Sequence, residues 1–286
     1  MVHGYALLIV LPVLAALLAA LYAAATRPRP RAARRRPVAP PPPPAPPRCP
    51  VSPAQRAWIE QSMRWCVVNF GEEAARRPVA EPTPEFLLAP YTATAYQVGK
   101  LFASVCALMG VRARDVDFRL LDRVTAASRP EAVGRRTVGC YRRRDVHLRG
   151  SGRRLFWLGR GRIEVDRAET VDPARLVAIL AHELGHERLI GEGRVTWAQP
   201  DQERLTDLLT VYLGLGVFSA NAAWAASQSR LGYLSAPEYG FILACHARLR
   251  GEGAQADWAR QLTPSVRKYF DQSLAFLDAE ARGSGG

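Results

Sequence analysis

Val171–His186 reads VDPARLVAILAHELGH. Asp172 is placed to cap a helix and Pro173 to occupy its first position, where a missing N–H costs nothing. Leu176, Val177, Ile179 and Leu180 give that helix a buried side. His182 and His186 are four apart, so both imidazoles project from one face, one turn apart. Two imidazoles at that separation can share one tetrahedral Zn²⁺. Glu183 can then reach a water at the metal without being a ligand. A helix of this kind following a short strand-like segment, Arg162–Asp166, points to α+β architecture.

Zinc needs a third protein ligand and, for catalysis, an open fourth position. A second helical pattern carries Glu203, seventeen residues beyond His186, and Asp207. Asp201 is placed to cap it, and Leu205, Leu208, Leu209 and Tyr212 are placed to pack it. Glu203 is the candidate ligand. Asp207 shares its face and is placed to accept the N–H of a ligating histidine, fixing its tautomer. Glu192, six residues after His186, is the rival. That is where metzincins carry histidine, but their glycine position is Leu189 here and no Met-turn is evident, so Glu203 is preferred.

AHELGH followed by a downstream Glu-x-x-x-Asp helix resembles the gluzincin clan of zinc metallopeptidases. The resemblance implies a zincin-like fold and one Zn²⁺ per chain, held by His182, His186 and Glu203. It makes Glu183 the general base and Asp207 the residue behind a ligand. The activity it implies is hydrolysis of a peptide or protein substrate by a metal-activated water. Within about residues 162–250, LVAILAHELGHERLIGEGR, ERLTDLLTVYLGLGVFSANAAW and RLGYLSAPEYGFILA are similar to a narrower bacterial family of HExxH proteins that brings no known substrate. The chain departs from the clan in its short connection, which leaves little room for a substrate subdomain between the two helices. Tyr212, Tyr233, His147 and His246 are the candidates for stabilising an oxyanion, and His246, in an apolar run, reads as a core histidine. The alternative to an enzyme is a non-catalytic, metal-stabilised, membrane-anchored binding or sensing module, which needs the histidines but not Glu183.

Outward from these helices the pattern stays helix-rich α+β. Ser52-Pro53 starts one helix, Ala93–Met109 forms a second that Gly110 closes, and Thr263-Pro264 starts the last. Asp115–Leu121, Thr137–Tyr141 and Arg162–Asp166 read as strands. The folded domain is expected over 51–286, after an Arg/Pro-rich linker over 26–50. Residues 37–50 hold nine prolines, a polyproline II spacer.

Residues 1–25 read as a transmembrane anchor. Tyr5–Ala25 is 21 residues without a charged side chain, enough helix to cross a bilayer core. Six arginines lie between Thr26 and Arg36 and no Lys or Arg precedes the apolar run. The positive-inside rule then places a single-pass protein with its domain in the cytoplasm.

The formal net charge of +13 is local. Residues 135–162 carry ten arginines and one acid around Leu155-Phe156-Trp157-Leu158. That hairpin is a candidate Arg-rich contact with an anionic membrane surface. No nucleic-acid motif accompanies the charge, so nucleic acid is not an expected partner. Five scattered cysteines exclude a disulfide framework and a Cys-based zinc knuckle.

Overall fold

The computed structural model describes residues 46–122, 138–143, 160–223 and 232–283, together with positions 16, 19, 22 and 26. The chain divides into two units, Met1–Ala45 and Pro46–Gly286. Most of the expected membrane span and linker lies outside the described residues, as do His147 and Leu155–Leu158. Among the described residues, no helix is long and apolar enough to cross a membrane.

Pro46–Gly286 is a helix-rich α+β unit. Helix α1 (Pro53–Phe70) starts at Ser52, which forms a capping box with Gln55, and a short α2 (Glu72–Ala75) follows it. Helix α3 (Ala95–Met109) starts two residues later than its apolar pattern suggests. Ala93 sits at φ 56 and Thr94 is extended, so the chain turns before the helix begins, and Thr94 with Gln97 forms the capping box. Gly110 ends α3 in the left-handed conformation expected of it.

The three expected strands are present as β1 (Val116–Leu121), β2 (Gly139–Arg142) and β3 (Gly161–Asp166), in the order β1-β3-β2. β1 runs parallel to β3, with Phe118 opposite Ile163. β2 is antiparallel to β3, with Tyr141 opposite Ile163. One face of β3 buries Ile163 and Val165 against the helices. The alternate positions form ion pairs, Arg142 with Glu164 at 2.9 Å and Arg162 with Asp117 at 3.0 Å, as a two-residue period requires.

A 3₁₀ segment joins β3 to α4 (Pro173–His186), where Asp172 accepts the N–H groups of Ala174 and Arg175. Leu176, Val177, Leu180, Ala181 and Leu184 have no exposed surface, which makes α4 the central helix of the core. A π turn (Glu187–Gly191) extends it. Then come α5 (Gln202–Tyr212), α6 (Gly216–Ala223), α7 (Ala236–Leu249) and α8 (Pro264–Gly283). Two expected caps are not used. Asp201 makes no side-chain cap on α5, and the Thr263 hydroxyl has no partner among the described residues. All five cysteines are free thiols.

Candidate metal centre

The capped first turn of α4 sets its register, and its apolar residues lock the helix in the core. His182, Glu183 and His186 therefore leave its last turns in fixed directions. α5 comes in beside them with Glu203, Thr206 and Asp207 buried. Gly185 permits this approach: a Cβ there would lie 2.7 Å from Thr206 Cγ2, closer than carbon atoms pack. β2 packs on the helix next to them. A Cβ on Gly139 would lie 2.8 Å from Glu183 Oε1 and 2.8 Å from Ile179 Cγ2, so the strand backbone runs directly over the Glu183 carboxylate.

Three acceptor atoms converge. His182 Nε2 is 3.2 Å from Glu203 Oε2 and 3.2 Å from His186 Nε2. His186 Nε2 is 3.4 Å from Glu203 Oε2. These are the His182, His186 and Glu203 of the sequence reading, and they are the group among the described residues that could hold a metal ion. A tetrahedral Zn²⁺ with bonds of about 2.0–2.1 Å separates neighbouring ligand atoms by about 3.3 Å. The spacing of the three atoms fits that ion.

Each of the three side chains is also held from behind. Asp207 Oδ1 accepts the Nδ1–H of His182 at 2.8 Å. Thr206 Oγ1 gives its hydrogen to the Gln202 carbonyl at 2.8 Å and so accepts the Nδ1–H of His186 at 3.3 Å. Both Nε2 atoms consequently face inward. Gln202 Nε2 donates to Glu203 Oε1 at 2.9 Å, leaving Oε2 toward the histidines. Asp207 Oδ2 accepts the Tyr233 N–H at 2.5 Å, so both carboxylate oxygens are committed.

The electrostatics favour a cation at this point. Burial opposes charge on His182, but its hydrogen bonds to Asp207 and Glu203 outweigh burial and raise its pKa well above the ordinary value. Burial lowers His186, its contact with Glu203 notwithstanding, and the neighbouring His182 lowers it further. Burial would raise Glu203, yet its hydrogen bonds to His182 and His186 hold it far below the usual carboxylate range. Glu183 is 4% exposed and its Oε2 has no partner among the described residues. A buried carboxylate oxygen left unpaired at such a site calls for a functional explanation.

The other candidates separate cleanly. Glu192 pairs with Arg194 at 2.9 Å and with Arg188, away from the cluster. Tyr212 is fully buried and donates to the Gly71 carbonyl at 2.7 Å. His246 donates from Nε2 to the Ala75 carbonyl at 3.1 Å in the core, as its apolar run suggests. Tyr233 is the exception. Its ring stacks on His182 with centroids 6.0 Å apart, and it is 42% exposed. Sequence reasoning missed Gln202, Thr206, Tyr141 and Trp197. Thr206 was within reach, since a helix that puts Glu203 and Asp207 on one face carries residue 206 beside them. Tyr141 and Trp197 come from a strand and a connection, and no motif marks them. No family model matches this chain, and no curated protein and no solved structure matches it.

Proposed function

We propose that the protein is a membrane-anchored, zinc-dependent metallopeptidase with a zincin-like domain. The observation that carries the reading is the convergence of His182 Nε2, His186 Nε2 and Glu203 Oε2 at 3.2–3.4 Å, with the buried carboxylate of Glu183 on the same turn of α4. His182, His186 and Glu203 would hold one Zn²⁺. Zinc, when bound, supplies Lewis acidity that brings the pKa of water toward about 7 and polarises a carbonyl.

The residues of the chain do the rest. Glu183 takes a proton from the attacking water and passes it to the leaving amine, a role worth roughly 10²–10⁴-fold in rate. Asp207, Thr206 and Gln202 keep the three ligands from rotating. Tyr233, whose half-exposed ring stacks on His182, would donate from its phenol to an oxygen that becomes negative. The expected topology stays part of the proposal: residues 1–25 anchor the protein, the arginines beyond them keep the domain in the cytoplasm, and the proline tract sets its distance from the bilayer.

Elemental analysis of the purified chain in detergent tests this. We expect about one zinc per chain in the parent and a clear loss in Glu203→Ala. Glu183→Gln should keep its zinc and lose peptide hydrolysis by at least about a hundredfold. A parent that takes up no zinc on reconstitution overturns the proposal. Hydrolysis undiminished in Glu183→Gln would remove the assigned base.

A further inference from the structure

The hydrolytic reading leaves unused a set of aromatic rings around the two histidines. Trp197 lies against His186, with ring centroids 5.5 Å apart. Tyr141 is 6.3 Å from His186 and 6.2 Å from Trp197. Tyr141 hydrogen-bonds the buried Glu187, and the Arg143 guanidinium acts on the same carboxylate. Arg143 is itself held by the Ile190 carbonyl at 3.0 Å. The wall is thus supported from behind.

Trp197 is 44% exposed although its backbone surroundings are fixed. Arg194 and Val195 donate to the Leu189 carbonyl at 2.8 and 2.9 Å, and Gln199 donates to that of Thr196 at 3.1 Å. Across the site stands Tyr233, also exposed. Within Pro46–Gly286 the large aromatic side chains exposed among the described residues are Tyr96, Trp197 and Tyr233. Scattered exposed rings mean little, but two that flank one constellation mark a binding surface.

We propose that Trp197, backed by Tyr141, is the specificity subsite of the enzyme and takes an aromatic side chain next to the bond that is cut. The inference rests on the metallopeptidase reading. A planar side chain gains both apolar burial and an offset or edge contact with the indole.

Calorimetric titration of the zinc-loaded full chain with amino-acid hydroxamates, alongside zinc per chain, tests it. Phenylalanine hydroxamate should bind at least about tenfold more tightly than glycine hydroxamate. Trp197→Ala should cut that preference to roughly threefold or less, and Trp197→Phe should keep most of it. Zinc content should be unchanged in both variants. Equal binding of the two probes, tighter binding of lysine hydroxamate, or an undiminished preference in Trp197→Ala would overturn the subsite while the metallopeptidase reading stood. No zinc and no hydroxamate binding would overturn both, and the zinc measurement distinguishes the two cases.

Discussion

Asp207 shows how one side chain can set the chemistry of another. Its Oδ1 accepts the His182 Nδ1–H at 2.8 Å and its Oδ2 the Tyr233 N–H at 2.5 Å. Asp207→Asn keeps the shape but puts an N–H₂ group against one of these donors and removes the charge behind the imidazole. Zinc affinity should fall about 10–100-fold, measured by competition with a chromophoric chelator. Glu192→Gln, in the same assay, should leave it unchanged, because Glu192 belongs to the Arg188 and Arg194 pairs. The sequence could put Asp207 on the face of Glu203 because a four-residue spacing survives in any helix. It could not choose against Glu192 by spacing alone. That choice depends on where the chain runs between Gly191 and Asp201.

At the scale of elements, the candidate metal centre depends on α4 and α5 approaching closely enough for His182, His186 and Glu203 to meet. Gly185 and Thr206 are the contact. Gly185→Ala brings a methyl to 2.7 Å from Thr206 Cγ2, and the helices must separate or the side chains distort. The change should destabilise the chain by about 1–3 kcal/mol, read from the urea midpoint, and it should weaken zinc binding. Gly185→Ala combined with Thr206→Ser removes the clashing methyl and should recover much of the loss. If the double variant is no better than the single one, the close approach is not what Gly185 provides. The helix starts at Ser52 and Asp172 were legible because a cap is local chemistry. Asp201 and Thr263 look the same in sequence, yet neither side chain caps. Here tertiary position overrides the local signal.

In the molecule as a whole, the core carries its own pH dependence. His246 is fully buried among α7 and its neighbours, and burial, with Arg250 nearby, pushes its pKa from 6.5 down to about 4. The folded chain then keeps His246 neutral where the unfolded chain protonates it. Stability from this group is complete above the unfolded value of about 6.5 and is lost as pH falls toward about 4, by about 3 kcal/mol in all. His246→Gln retains a donor for the Ala75 carbonyl and does not titrate. Denaturant unfolding between pH 6.5 and 4 should therefore show a shallower loss in the variant. Identical slopes would mean that other groups carry the acid sensitivity.

By itself the sequence determined the helix-rich α+β class and the residues of the three strands to within a few positions. It also named His182, His186 and Glu203 as candidate ligands, with Glu192 as the rival to Glu203. These rest on short-range regularities: alternation in a strand, 3.6-residue spacing in a helix, a cap three residues from its partner. Only the tertiary structure decided that β3 lies between β1 and β2, that Gly139 and Gly185 let backbone and helix close on the site, and that Trp197 and Tyr141 wall it. Those relations join residues far apart in the chain, and their register follows from how the faces of whole elements pack, which no local pattern encodes.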